Sequence, residues 1–198
     1  MEAQDKKALI LKAASSCFAR YGYEKTTLDD IGRQVSLNKA SLYYYYKNKE
    51  SIYTDVIFSE ANDFLTLVFK EVDKVPGCRK KILTYLSERF KYMRSAVNLS
   101  QLSIDSKQKL APLFGNMYGK IVEREVGFLS NILDCCIRNG EIISCDAARI
   151  TKNIFTVSEA ILARFGACSG EAPEDTARQA LEEVTFTVSL VLEGLKAK

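Results

Sequence analysis

The chain has 198 residues, of which 47% are hydrophobic and 27% are charged, a balance typical of a folded globular protein. It contains no run of 18 apolar residues, which argues against a membrane-spanning helix, and its polar first twelve residues argue against a signal peptide. The sequence has no histidine, no G-x-G-x-x-G and no P-loop, so it lacks the usual catalytic patterns. We therefore expect a cytoplasmic protein that is not an enzyme and needs no cofactor.

The net charge of +3 is carried entirely by the N-terminal segment. Residues 1–50 contain nine basic and six acidic residues, whereas the other 148 residues contain nineteen of each. An excess of positive charge confined to one segment agrees with contact between that segment and nucleic-acid phosphates.

An amphipathic helix is predicted over Asp5–Tyr21, and Gly22 stands where a C′ glycine would end it. The next stretch, Thr26–Glu50, predicts two short helices separated by three residues. Thr27, with Asp30 three positions later, is typical of a capping box at the start of the first of them.

Asn38 is a good N-cap for the second short helix, which carries Lys39, Ala40 and Ser41 in its first turn. A helix, a tight turn and a second helix that begins with small and basic residues predict a helix-turn-helix. In that motif the second helix enters the major groove of DNA by its N-terminal end. Lys39 can reach guanine acceptors, and Ala40 and Ser41 can meet thymine methyls or polar base edges.

Residue types recur at fixed spacing over roughly residues 6–55: Ile10, Leu11, Ala13, Ala14, Phe18, Gly22, Tyr23, Thr26, Thr27, Asp30, Ile31, Leu42, Tyr43, Tyr46, Lys49, Glu50 and Ile52. In these residues the N-terminal region resembles the DNA-binding domain of the TetR family of bacterial transcriptional regulators. Two residues depart from the family pattern. Gly32 replaces the usual alanine, which would allow closer packing. Ser36 replaces the usual turn glycine, and we expect it to adopt a left-handed conformation at a cost of about 1 kcal/mol.

The resemblance implies further DNA contacts. Tyr43 and Lys49 resemble residues that contact the phosphate backbone, and Tyr45 takes the place of a residue that touches DNA in some family members. Thr27, at a helix N-terminus, is placed to hydrogen-bond a phosphate. The alternative is that the tyrosines are core residues, which we expect of Tyr46. The full predicted DNA-binding set is Thr27, Asn38, Lys39, Ala40, Ser41, Tyr43, Tyr45 and Lys49.

The remaining sequence predicts only helices, and hence an all-α fold. They are expected from residue 49 to about Val72, over Arg79–Ala96, as a short helix within Val97–Asp105, over Leu113–Arg138 with Pro112 in the first turn, from Asp146 to Gly166, and over Glu174–Leu195. We place a three-helix, helix-turn-helix domain at residues 1–49 and a helical ligand-binding and dimerisation domain at residues 50–198.

The resemblance implies an effector pocket among the C-terminal helices. The helices at 79–96 and 113–138 carry more apolar and aromatic side chains than a simple bundle requires, although ordinary core packing is the alternative. The candidates are Tyr85, Phe90, Met93, Phe114, Tyr118 and Phe128. No charged cluster stands out as an anchor, so we expect a small apolar or amphipathic effector held by tyrosine hydroxyls.

The resemblance also implies a homodimer formed through the last two helices, for which Phe155, Leu162, Val188 and Leu192 are the candidate interface residues. Two recognition helices related by a two-fold axis would read the half-sites of a palindromic operator in double-stranded DNA.

We therefore predict a ligand-responsive transcriptional regulator, most simply a repressor that an effector releases from its operator. The six cysteines form no C-x-x-C, and we expect free buried thiols. The alternative is a regulator that responds to oxidation of the adjacent Cys135 and Cys136.

Overall fold

The computed structural model describes residues 3–96, 102–166 and 172–197. These residues form eight α-helices, which confirms the predicted all-α fold. The helices are α1 (Ala3–Lys25), α2 (Leu28–Gln34), α3 (Lys39–Tyr45), α4 (Lys49–Asp73), α5 (Cys78–Ser95), α6 (Ile104–Arg138), α7 (Ala147–Arg164) and α8 (Glu174–Gly194). No helix in the described ranges is both long and apolar enough to cross a membrane.

The chain divides into two compact units. Unit 1 comprises residues 1–62 and 97–121, and unit 2 comprises residues 63–96 and 122–198. Helices α4 and α6 each begin in unit 1 and end in unit 2. The sequence-based division between residues 49 and 50 stays a prediction, since the compact units describe packing within one chain and do not test which segment binds DNA.

Unit 1 is built around the interface of α1, α2, α3 and the first half of α4. Its buried side chains come from all four helices and include Ile10, Phe18, Ile31, Leu42, Ile52 and Tyr53. The first part of α6 completes this core with Leu110, which is fully buried, and with Phe114 packed against it. The ring of Phe114 lies 6.2 Å from that of Tyr53.

The predicted start of the long helix at residue 113 is wrong. Helix α6 begins at Ile104, and Pro112 lies well inside it. A proline in a helix interior removes one backbone hydrogen bond. Burial of Leu110 before it and partial burial of Phe114 after it offset that loss. The short helix predicted within Val97–Asp105 falls largely outside the described residues.

Unit 2 packs α5, α7 and α8 against one another and against the last part of α6. Helices α7 and α8 make close contact, and α8 also packs on α5. The buried apolar side chains include Ile82, Leu86, Leu129, Leu133, Ile154, Leu162, Val184 and Val188. After α6, an isolated antiparallel bridge joins Ile142 to Lys196, so the end of the chain is held to the segment between α6 and α7.

Candidate DNA-binding surface and effector site

The start of α2 has the predicted capping box. The Oγ1 atom of Thr27 accepts a hydrogen bond from the backbone N–H of Asp30 at 3.2 Å. The Asp30 carboxylate accepts in return from the backbone N–H of Thr27 at 2.9 Å and from its hydroxyl at 2.6 Å. These hydrogen bonds, above all that from the Thr27 side chain, lower the pKa of Asp30. The hydroxyl predicted to bind phosphate therefore already donates within the protein.

The turn between α2 and α3 depends on the two residues that depart from the family pattern. Ser36 has a φ of 55°, the left-handed conformation expected of it. Gly32 is buried, and a Cβ atom at this position would lie 2.4 Å from the carbonyl oxygen of Leu37 and 3.3 Å from Cδ1 of Leu42. That contact with the backbone is too short for a methyl group. Gly32 therefore allows α2 to approach the turn more closely than alanine would.

Helix α3 is held at both ends and exposed along one side. The Asn38 side chain caps it as predicted, accepting from the N–H of Ser41 at 2.8 Å. Leu42 and Tyr46 are buried in the core of unit 1, as predicted. The fixed orientation of α3 follows from these contacts. It leaves the other side of the helix available to a partner.

The exposed side of α3 contains three of the eight predicted DNA-binding residues, whereas Ser41 and Tyr45 on the same helix are only partly exposed. Lys39 and Ala40 are exposed, and Tyr43 is 50% exposed. The sequence-based set omits Tyr44, which is 82% exposed and makes an edge contact with the ring of Tyr45 at 5.1 Å. The signal for Tyr44 was its place in a run of four tyrosines, of which a two-turn helix can bury only some.

Lys49 is engaged within unit 1. Its Nζ atom donates to the backbone carbonyls of Tyr23 at 2.7 Å, Thr26 at 3.0 Å and Glu24 at 3.3 Å. It also lies 4.3 Å from the centre of the Tyr23 ring. Burial lowers the pKa of Lys49. In this structure its ammonium group binds the carbonyls at the end of α1. Contact between Lys49 and a phosphate stays a prediction.

The six candidate pocket residues do not belong to one unit. Phe114 and Tyr118 lie in unit 1, and the other four lie in unit 2. Within unit 2, the ring of Phe128 lies 6.1 Å from that of Tyr85. Phe128 also stacks on Phe69, with ring centres 3.8 Å apart. Of the predicted set, the structure therefore brings together the rings of Tyr85 and Phe128, and it adds Phe69 to them.

A charged cluster that did not stand out in the sequence is buried in unit 2. The Nε atom of Arg89 donates to Oε1 of Glu125 at 2.7 Å, and the Tyr85 hydroxyl donates to the same oxygen. The NH1 group of Arg89 forms an ion pair with Oε1 of Glu159 at 2.7 Å. Glu125 is 2% exposed, and its Oε2 atom has no hydrogen-bond partner among the described residues.

The sequence held a signal for this cluster. Arg89 lies four residues after Tyr85 on α5, in register with Ile82 and Leu86, and Glu125 lies four residues before Leu129 on α6. A charged residue in a buried register usually has a buried partner. The sequence does not show that α5 packs against α6.

The four candidate interface residues of the dimer are buried inside one chain. Phe155, Leu162, Val188 and Leu192 are core residues of unit 2. Other apolar side chains of the same two helices are exposed: Val157 on α7, and Phe186, Leu190 and Val191 on α8. We call these four the α7–α8 apolar face.

The cysteines of the described residues are free thiols. Cys17, Cys78 and Cys136 are buried, Cys145 is partly buried and Cys135 is exposed; Cys168 lies outside the described residues. Burial raises the pKa of the thiols of Cys17, Cys78, Cys136 and Cys145. A raised pKa keeps a thiol protonated and slows its oxidation, and this applies to Cys136, one of the two thiols of the redox alternative.

Comparisons with known proteins agree with the geometry of the helix-turn-helix. A family profile described as bacterial regulatory proteins, tetR family, matches residues 10–56. The biofilm operon icaADBC HTH-type negative transcriptional regulator IcaR of Staphylococcus epidermidis is 42% identical over 67 residues, which are 34% of this chain and 36% of that protein. IcaR of Staphylococcus aureus strain Newman is 31% identical over 122 residues, 58% of this chain and 61% of that protein.

The matches to both IcaR proteins span less than two thirds of those relatives. Across nearly the whole chain, the fold is similar to that of a transcriptional regulator from Cytophaga hutchinsonii. That structure has a TM-score of 0.79 and 23% sequence identity, and the match covers 97% of this chain and 99% of the other. Residues 10–56 therefore match the tetR family of bacterial regulatory proteins, and the chain as a whole shares the fold of the Cytophaga hutchinsonii regulator.

Proposed function

We propose that the protein is a homodimeric repressor that binds a palindromic operator and leaves it when a small effector binds unit 2. The observation that carries the proposal is the orientation of α3. Leu42 and Tyr46 fix the helix in the core, while Lys39, Ala40 and Tyr44 face outward. Exposed basic and small side chains at the start of a helix, with an exposed tyrosine in its last turn, suit contact with base edges and phosphates in a major groove.

The repressor role is supported by the relatives. Both IcaR proteins are negative transcriptional regulators, and the S. epidermidis protein is 42% identical over its aligned part. A repressor needs only to occupy its operator.

Dimer formation is supported by the α7–α8 apolar face. Phe186 is 62% exposed and Leu190 is 58% exposed, and they lie four residues apart on one side of α8. Contiguous exposed apolar side chains mark interaction surfaces. A second copy of the chain suits this face, because a two-fold axis would pair it with itself and present two α3 helices to two half-sites.

An effector response is supported by the cluster around Glu125. A buried, charged group with an unpartnered oxygen is a site where a bound molecule can supply the missing hydrogen bond. The effector that we propose is a small apolar or amphipathic molecule. If it binds one conformation of unit 2 better than another, it shifts the population toward that conformation, and operator affinity falls by the coupling free energy, typically about 1–3 kcal/mol.

Operator binding is tested by selection of bound duplexes from a randomised DNA pool, followed by fluorescence anisotropy on the selected sequence. We expect a palindromic consensus, and we expect Tyr44→Ala to weaken binding to it. Recovery of sequences without two-fold symmetry would contradict the proposal. Tyr118→Ala, which changes an exposed tyrosine on α6, is the matched control and should bind like the unmutated protein.

Dimer formation is tested by sedimentation at micromolar concentration. Phe186→Glu should give monomers that bind the operator poorly. Leu67→Glu, which changes a 65% exposed leucine on α4, should remain dimeric. A monomeric unmutated protein, or a dimeric Phe186→Glu variant, would place the interface elsewhere or exclude it.

A further inference from the structure

Three cysteines of unit 2 line one cavity, although they lie far apart in the sequence. The cavity has a volume of about 340 Å³, and Cys78, Cys135 and Cys136 form part of its wall. Cys78 is the first residue of α5, whereas Cys135 and Cys136 lie in the last turn of α6. The fold therefore brings nucleophilic sulfur atoms from two helices to one place, away from the helix-turn-helix and from the cluster around Glu125.

Glu141, which also lines this cavity, holds Cys78 and Cys136 next to each other. Its Oε2 atom accepts a hydrogen bond from the backbone N–H of Cys78 at 3.0 Å. Its own backbone N–H donates to the carbonyl of Cys136 at 2.9 Å. The two thiols hydrogen-bond to each other, and neither belongs to a disulfide. Two sulfur atoms from different helices are thus in contact beside a cavity.

A pair of adjacent thiols is suited to a soft metal ion. Thiolate sulfur favours soft ions such as Cu(I), whereas structural zinc takes four ligands in a tetrahedral arrangement. In the ranges that the structure describes, no group of three or more cysteine, aspartate or glutamate side chains is arranged to hold a metal ion. Cu(I) has a filled d shell and accepts linear coordination by two sulfur atoms. The number of available ligands therefore favours Cu(I) over zinc.

We propose that Cys78 and Cys136 bind one Cu(I) ion between their sulfur atoms. Both thiols release their protons to the solvent as the two S–Cu bonds form, and no electron is transferred. The bound ion links the start of α5 to the end of α6. The inference does not rest on the repressor function.

Competition for copper tests the site. The full chain, reduced and kept under anaerobic conditions, is titrated into the Cu(I)–bicinchoninate complex, which loses its colour as the protein removes copper. The chain carries Cys135→Ser throughout, so that the exposed thiol does not contribute. We expect one Cu(I) ion to be removed per chain. Failure to remove copper from the complex would overturn the proposal.

Cysteine variants locate the site. Cys78→Ser and Cys136→Ser should each weaken Cu(I) binding by about a hundredfold or more, because a second thiolate held beside the first acts at a high effective concentration. Cys145→Ser changes a partly buried thiol that does not line the cavity, and as the matched control it should alter the affinity by less than about twofold. Unchanged affinity in Cys78→Ser, or an equal loss in Cys145→Ser, would overturn the two-thiol site.

Circular dichroism checks that the variants fold, and Cys136→Ala repeats the test with an apolar side chain. Thermal unfolding gives a second readout, because an ion that binds only the folded chain raises its melting temperature. The rise should disappear in Cys78→Ser, and an equal rise in that variant would contradict the proposal.

These measurements use no DNA. A failure to bind copper therefore leaves the operator experiments unaffected, and a failure of operator binding leaves this site unaffected.

Discussion

The helix-turn-helix segment and the interior of unit 2 are stabilised over very different distances along the chain. In the first, Thr27 pairs with Asp30 and Asn38 with Ser41, each three residues away. In the second, Glu125 binds residues 36 and 40 positions away. A substitution in the helix-turn-helix segment therefore disturbs contacts within a single helical turn at the surface. A substitution in the cluster instead removes a partner of a charged group that is buried between helices.

The largest expected effect is at Glu125. Glu125→Ala leaves Arg89 and the Tyr85 hydroxyl without their shared acceptor, and the loss of one partner of a buried ion pair costs about 3–5 kcal/mol of unfolding free energy. Urea denaturation measures it. Glu123→Ala, an exposed change on the same helix, should cost less than about 0.5 kcal/mol.

Replacing both Arg89 and Glu125 tests whether the buried ion pair causes the loss of stability. Arg89→Met combined with Glu125→Leu should recover most of the stability lost in Glu125→Ala, because the double change removes both buried charges of that pair and the remaining partner of Arg89, Glu159, has a side chain that is 34% exposed. If the double variant is no more stable than Glu125→Ala, the ion pair is not the source of the effect.

Gly32→Ala tests the close approach of α2 to the turn. The added Cβ atom would lie 2.4 Å from a backbone oxygen, so we expect a loss of about 1–3 kcal/mol despite the better helix propensity of alanine. Gly115→Ala is the control, because open space surrounds that glycine in α6. It should stabilise the protein by up to about 1 kcal/mol. Thermal unfolding distinguishes the two, and equal shifts would refute the role of Gly32.

Substitutions at Lys39 and Lys49 distinguish recognition of DNA bases from stabilisation of unit 1. Lys39→Ala should relax preference at one base pair per half-site by about 1–3 kcal/mol, without changing the melting temperature. Lys49→Ala should weaken binding to all sequences alike and lower the melting temperature, because it removes the donor to the carbonyls of Tyr23 and Thr26. A binding array and thermal unfolding measure both. A Lys49→Ala variant of unchanged stability with a salt dependence reduced by about one charge would instead indicate direct phosphate contact.

The smallest effect concerns pH and Glu24. Burial opposes the charged form of this carboxylate, but hydrogen bonds from Ser103 and Ser106 lower its pKa to about 2 from 4.5. A pKa lowered by folding contributes stability above the unfolded value, and the contribution is lost as the pH falls from about 4.5 to about 2. Glu24→Gln should therefore reduce stability at pH 7 and leave it nearly unchanged near pH 2. An equal loss at both values would exclude this linkage.

The separation of contacting residues along the chain also explains which features could be predicted from the sequence. The capping box at Thr27, the cap at Asn38 and the left-handed Ser36 all follow from residues within a few positions, and the structure has each of them. The core positions of α3 follow from helical spacing. The cluster around Glu125 cannot be predicted from helical spacing, because it forms only when α5 packs against α6. The placement of Leu162 and Val188 in the core, with Phe186 outside, likewise depends on how α7 and α8 rotate toward each other.

The position of Pro112 has a consequence for the long helix α6. Proline has no backbone N–H, so the carbonyl of Gln108, four residues earlier, lacks its helical donor. The turns around Leu129 and Leu133 keep this hydrogen bond, so the turn at Pro112 can open at a lower free energy than they do. Backbone amides next to Pro112 should exchange with deuterated solvent well before those near Leu133, and α6 would behave as two helical segments on the timescale of that exchange.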